Sequence, residues 1–232
     1  FGQYVPPELV DEISEHPEAL SVDGETREMS VLFSDVRNFT TISESLEPKE
    51  LTRFINGFLT PMTKIIHQNR GTIDKYMGDS VMAFWGAPEK LKNRAERACR
   101  AALDIAHVIR EDNKRRSAKN LPPIGIRIGI HTGDVTVGNI GTPERINYTI
   151  IGDAVNIGVR LEQLGKEVYP PGTEVSILIS ADTARDLGEG FHPVSMGMFK
   201  LRGRDQEVEV FSLGSEEPRP GPGGENPKRA SR

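Results

Sequence analysis

Two hydrophobic spacings take turns along the chain. From Pro48 to Asn69, Leu51, Phe54, Ile55, Phe58, Leu59, Met62, Ile65 and Ile66 recur at three- and four-residue steps, which is the repeat of one helical face. Pro61 falls inside this run and is expected to kink or reset the helix. A second long helix is predicted over Asn93 to Lys114, with Ala98, Ala101, Ala102, Ile105, Ala106 and Ile109 inward. A short one follows Pro6-Pro7, where Leu9, Val10 and Ile13 give one stripe before Pro17. Between the helices lie unbroken apolar runs suited to buried strands, Met29 to Phe33 and Val81 to Trp85. Gly125 to His131 alternates and reads as a half-buried strand with His131 at its end. Thr132-Gly133-Asp134 reads as a turn, after which Val135 to Gly138 returns.

The last third continues in the same manner. A loop and strand cover Pro143 to Ile151, and Gly152-Asp153 opens a helix to about Leu164 with Asp153 as its N-cap. A strand over Glu174 to Ile179, a Ser180-capped helix over Ala181 to Leu187 and a hairpin around Gly203 complete the pattern. The order predicts an α/β fold with a mixed, largely antiparallel sheet and flanking helices. We read residues 1–22 as a linker with a signal-transmitting helix and residues 23–214 as one domain. Residues 215–232, rich in Pro, Gly, Ser and charge, are expected to be a disordered tail.

Composition narrows the function classes. The chain has 232 residues, 27% charged and 36% hydrophobic, with a net charge of −5, as in an ordinary globular domain. No basic stripe interleaved with aromatics is present, so a nucleic-acid surface is not expected. The single cysteine, Cys99, excludes an internal disulfide and lies on a helix where core packing explains it. No apolar run approaches the ~20 residues that cross a bilayer. The chain opens at Phe1 without a methionine or signal peptide and is expected to be part of a longer protein.

Candidate chemistry centres on Ile73 to Gly86, I-D-K-Y-M-G-D-S-V-M-A-F-W-G. It reads as a β-hairpin with Lys75 before the turn and Asp79 at the tip, although Gly and Asp in such a turn need no functional reason. Asp35 ends the apolar strand beside it. Two carboxylates projecting from adjacent strand ends form a hard-oxygen site suited to Mg²⁺ with substrate phosphates. Backbone N–H groups after Asp35, around Asn38, Phe39 and Thr40, open a helical region and suit phosphate oxygens. Asn156 and Arg160 are four apart on a helix and share a face, from which an arginine can fork onto a phosphoryl group. His131 and His67 have no partner at metal spacing. Neither a P-loop signature nor a nucleophile elbow occurs, which argues against a P-loop NTPase or an α/β hydrolase.

F-S-D-V-R-N-F-T (33–40), I-D-K-Y-M-G-D-S-V-M-A-F-W-G (73–86), R-I-G-I-H-T-G (127–133) and Y-T-I-I-G-D-A-V-N-I-G-V-R-L-E (148–162) together resemble the catalytic domain of class III nucleotidyl cyclases. The resemblance spans the whole presumed domain and implies a ferredoxin-like, palm-type core. It implies Asp35, Asp79 and the Val36 carbonyl as ligands of two Mg²⁺ or Mn²⁺ ions. Lys75 and Thr149 match the base-reading positions, Asn156 the ribose-orienting residue, and Arg160 the residue that stabilises charge on the α-phosphate. Arg204, in the last hairpin, falls where a basic residue holds the terminal phosphates. A cation at Lys75 and a hydroxyl at Thr149 suit adenine, whereas guanine-specific members usually carry an acid at the lysine position. The expected activity is therefore adenylate cyclase, with guanylate cyclase or a non-catalytic regulatory domain as alternatives. The threonine resembles a bacterial subgroup that often responds to bicarbonate. The resemblance also implies a head-to-tail homodimer with interfacial sites, an upstream sensor, and a place as the cytosolic part of a membrane-anchored bacterial protein.

Overall fold

The apolar runs become the middle of one sheet in the computed structural model, which describes residues 5–16 and 24–214. The proposed tail, residues 1–4 and 17–22 of the proposed linker, and residue 23 of the proposed domain lie outside the described residues. In chain order the elements are α1 (Pro7–Glu15), β1 (Glu25–Val36), α2 (Phe39–Glu44), α3 (Pro48–Gln68), β2 (Thr72–Met77), β3 (Ser80–Trp85) and α4 (Arg94–Ala118). They continue with β4 (Ile126–Thr142), β5 (Arg145–Ile151), α5 (Asp153–Val168), β6 (Val175–Ser180), α6 (Ala181–Arg185), β7 (Val194–Lys200) and β8 (Glu207–Ser212). Among the described residues the strands lie in the order β2-β3-β1-β4-β6-β8-β7, with β5 also paired to β4. The β4–β6 pair is parallel and the other pairs are antiparallel, so the expected mixed, largely antiparallel sheet is what forms.

Strand alternation divides the core. Leu32 and Val36 of β1 and Ile126, Ile128 and Ile130 of β4 face α3 and α4, where they pack with Phe58, Met62, Ile66, Ala102 and Ile105. Met29, Val31 and Phe33 project to the opposite face with Val135, Val137 and Ala154 at the start of α5. Farther along α5, Ile157, Leu161 and Leu164 pack with Leu178 and Val210. Pro61 does not end α3, because Phe58 before it and Met62, Ile65 and Ile66 after it stay buried on one face. Cys99 is fully buried in α4, and burial pushes its thiol above the ordinary range, in keeping with core packing.

The largest departure from the sequence reading is β4. Thr132-Gly133-Asp134 is not a turn; the strand runs straight through it, pairing Ser30 with Thr132, Met29 with Gly133 and Glu28 with Asp134. Thr132 is buried, and its hydroxyl lies 2.8 Å from Ser30 Oγ and 3.0 Å from Thr183 Oγ1, which supplies the polar satisfaction that a turn would have given it. Residues 126–132 are buried on both faces rather than alternating. The glycine in the middle of that stretch serves close approach: a Cβ on Gly129 would fall 2.3 Å from the Glu162 nitrogen of α5. His131 is accordingly inside β4, not at a strand end, with Nδ1 2.7 Å from Ser180 Oγ. Burial holds its imidazole below the usual range.

Three smaller corrections concern boundaries and caps. Glu25 to Glu28, ahead of the expected strand run from Met29, extend β1 and pair with Val137 to Asp134 of β4. The last hairpin, expected around Gly203, has a first strand that begins at Val194. Gly152, not Asp153, caps α5, and Asp153 directs its carboxylate to Arg204 instead. Ser180 does cap α6, accepting from the Thr183 amide at 3.2 Å. No helix among the described residues is long and apolar enough to cross a membrane.

Candidate active site

The residues singled out in the sequence gather in three groups. The first is acidic and lies where β1 ends beside the β2–β3 hairpin. Met77 pairs with Ser80, leaving Gly78 and Asp79 as a two-residue loop. Gly78 takes φ +64°, which such a tight turn requires. This geometry returns Asp79 to the strand end, where its Oδ2 accepts from the Val36 amide at 3.0 Å. Asp35 sits opposite Arg127 in the β1–β4 register. Arg127 Nη2 donates to Asp35 Oδ2 at 2.8 Å and its Nε to Glu162 Oε1 at 2.9 Å. Sequence reasoning passed over Arg127 and Glu162; a charged residue within an apolar strand is the signal for Arg127, since burial demands a partner. Burial raises the Glu162 carboxyl and the Arg127 hydrogen bond pulls it back.

Asp79 is pushed up to about 7, first by burial and then by the hydrogen bond and negative charge of Asp35. Two carboxylates that resist simultaneous ionisation are a donor set that a divalent cation relieves. Among the described residues no three or more His, Cys, Asp and Glu side chains are grouped to hold a metal. A cation here would take two protein carboxylates and complete its shell with other oxygens, which is the habit of Mg²⁺. The residues therefore fit the metal that the resemblance implies.

The raised Asp79 also gives a stability prediction. The folded state keeps a proton between the unfolded value of 3.8 and about 7, so stability falls as pH rises through that window. Asp79→Asn removes the penalty at high pH and keeps an acceptor for Val36. In chelator, the variant should melt well above the parent at pH 8, by less at pH 5, and within about a degree of it at pH 3, where the parent carboxyl is protonated in both the folded and the unfolded chain. Equal melting temperatures at pH 8 would contradict the electrostatic assignment.

The second group joins Lys75 and Thr149 through a residue the sequence reading did not single out. Thr149 Oγ1 donates to Asp74 Oδ2, and Lys75 Nζ lies 3.4 Å from Asp74 Oδ1. The Asp74 side chain is 2% exposed and that of Lys75 47%. Consecutive charges within a strand, I-D-K, break its alternation, and that is the signal that would have found Asp74.

The third group lies on and over α5. Asp153, Asn156 and Arg160 fall along one helical face. Asp153 pairs with Arg204 from the β7–β8 loop. Gly203, at φ +76°, lies against Arg160, whose Nη2 would be 3.3 Å from a Cβ there. Asn156 is exposed and Arg160 half-buried. Asn38 takes a left-handed conformation, φ 56°, at the start of α2, and Thr40 is exposed beside it. The Phe39 ring packs against the α3–α4 core, which leaves its backbone for the expected phosphate contact.

A single sheet with paired aspartates at one strand end and a cation–hydroxyl pair on its edge elements is the arrangement that the resemblance to nucleotidyl cyclases implies. Comparison places the chain within that class. The sequence profile described as "Adenylate and Guanylate cyclase catalytic domain" matches residues 22–215. The chain belongs to this family. It is 33% identical over 213 residues to adenylate cyclase 1 of Rhizobium meliloti (strain 1021), covering 92% of this chain and 31% of that protein. The chain thus spans about a third of that relative's length. The fold is similar to the adenylyl cyclase CyaB from P. aeruginosa, with TM-score 0.76 and 32% identity over 84% of this chain and 98% of that one. It is also similar to the guanylyl cyclase Cya2, with TM-score 0.72 and 31% identity over 82% and 93%.

Proposed function

We propose that this domain is an adenylate cyclase, converting ATP to 3′,5′-cyclic AMP and pyrophosphate. The observation that carries the choice of base is the Lys75–Asp74–Thr149 array, which offers a cation and a hydroxyl side by side. Adenine presents an acceptor at N1 and a donor at N6, the complement of that pair. In the reaction the ribose 3′-oxygen loses its proton and bonds to the α-phosphorus, and the bond from that phosphorus to the β-phosphate bridging oxygen breaks. Asp35, Asp79 and the Val36 carbonyl would hold two Mg²⁺ or Mn²⁺ ions, which lower the pKa of such a hydroxyl and offset phosphoryl charge when bound. Asn156 orients the ribose. Arg160 bears the charge that develops as pyrophosphate departs, and Arg204 with the backbone of residues 38–40 holds the terminal phosphates.

The sites lie between two chains paired head to tail. The elements that carry the site residues support this: Tyr76 and Met77 on the hairpin are 46% and 47% exposed, and Ile146 and Ile151 on β5 are 50% and 52% exposed. Apolar side chains clustered on functional edges are what a partner surface needs. The Rhizobium meliloti relative is about three times as long as this chain, which leaves room for further regions; an upstream sensor and a cytosolic, membrane-anchored context are part of the same proposal. Similarity to a guanylyl cyclase makes GTP the competing substrate.

One assay tests the reading. The purified domain is incubated with Mn²⁺ and either ATP or GTP across a range of protein concentration, and cyclic product is quantified. Cyclic AMP should exceed cyclic GMP, with specific activity rising as chains associate. Dominant cyclic GMP would establish the guanylate reading, and no product from either nucleotide the regulatory one.

A further inference from the structure

Asp74 owes its position to a β-bulge. Ile73 pairs with Ala83 and Lys75 with Met82, so Asp74 is the extra residue of β2, opposite no residue of β3. Bulges re-aim side chains, and this one directs a carboxylate inward while Lys75 stays half-exposed. Both oxygens are engaged, Oδ2 by the Thr149 hydroxyl and Oδ1 by the Lys75 ammonium.

A threonine hydroxyl has one proton and two lone pairs. With the proton committed to Asp74, Thr149 presents only lone pairs to a ligand. Lys75 is a donor in every orientation. The surface is then fixed as donor beside acceptor. We propose that Asp74 is a positioning residue that sets this polarity, so that Lys75 and Thr149 select a 6-aminopurine over a 6-oxopurine. A 6-aminopurine meets the pair with an N1 acceptor and an N6 donor. A 6-oxopurine meets it with N1–H facing an ammonium and O6 facing lone pairs, and both contacts fail. Without Asp74 the hydroxyl rotor is free to turn its proton toward O6, and the discrimination at position 6 is lost. The inference rests on the reading of Lys75 and Thr149 as base readers.

The test compares kcat/KM for ATP and for ITP, which lacks the 2-amino group of GTP and so isolates the polarity of N1 and position 6. In Asp74→Asn the amide oxygen goes to Lys75, which has only protons to offer, and the amide NH₂ donates to Thr149. The threonine proton is thereby turned outward, and the ATP:ITP ratio should fall at least tenfold. Asp74→Ala removes the acceptor without adding a donor and should lower the ratio less. It also serves as the second variant, with circular dichroism and melting checking that each is folded. Thr149→Val should lower the ratio by itself, and adding Asp74→Asn to it should change the ratio no further. An unchanged ratio in folded Asp74→Asn and Asp74→Ala, with Thr149→Val still lowering it, would overturn the inference and leave the base readers standing. An equal effect of Asp74→Asn with and without Thr149→Val would also overturn it, because a general structural role acts regardless of the hydroxyl. An unchanged ratio in Thr149→Val would remove the base-reading assignment and the inference with it.

Discussion

Arg160→Ala should lower kcat for cyclic AMP formation by about 10²–10³-fold while changing the KM for ATP by less than about threefold. The reason lies in when its charge is needed. The α-phosphate gains negative charge only as the 3′-oxygen attacks and pyrophosphate departs, so a guanidinium aimed there stabilises the transition state more than the bound nucleotide. Arg160 projects from α5 against Gly203 of the β7–β8 loop, where an added Cβ would lie 3.3 Å from its Nη2. Arg160 is half-buried and in no core cluster, so the truncation should leave the melting temperature nearly unchanged. Steady-state kinetics with Mn²⁺ and ATP decide the matter. A rise in KM with kcat intact would mean that Arg160 only holds the nucleotide. Arg160→Lys should recover part of kcat, since an ammonium supplies charge without the planar fork.

How much of this was legible in the sequence depended on whether a residue's meaning was local. Asp35 and Asp79 could be placed together because an apolar run ends at one and a tight turn holds the other, and adjacent strand ends follow from the hairpin. Asn156 and Arg160 needed only helical spacing. Asp74 and Arg127 each break the pattern of their strand, but their partners could not be read from the sequence because each is defined by pairing: a bulge in one case, a cross-strand register in the other. Thr132-Gly133-Asp134 misled for a related reason. Those residue types favour turns in isolation, but here the neighbouring strand β1 continues past them and a buried hydroxyl cluster holds Thr132. A Cβ on Gly133 would meet His131 Nε2 at 3.0 Å and Ala154 Cβ at 3.3 Å, so packing of α5, not backbone reversal, is what asks for glycine. Asp153 repeats the lesson, since an N-cap is the local expectation and a tertiary ion pair to Arg204 is the outcome.

Asp35→Ala and Arg160→Ala, each inactive alone, should regain activity when mixed. One hairpin carries both Lys75, on β2, and Asp79, in the two-residue turn that follows it. If two chains pair head to tail, the Asp35–Asp79 group of one completes a site with Lys75, Thr149, Asn156 and Arg160 of the other. A mixed dimer of the two mutants then has one site bearing both lesions and one bearing neither. At equal amounts and random pairing, half of the dimers are mixed and half of their sites are intact, so activity should reach about a quarter of the parent value per chain. Adding an excess of either mutant should move activity toward a plateau set by the scarcer one, a dependence that contamination with parent protein would not give. A mixture as inactive as its components, with mixed dimers verified by differential tagging and size exclusion, would place all these residues in one chain's site and make the hairpin the wall of a single pocket.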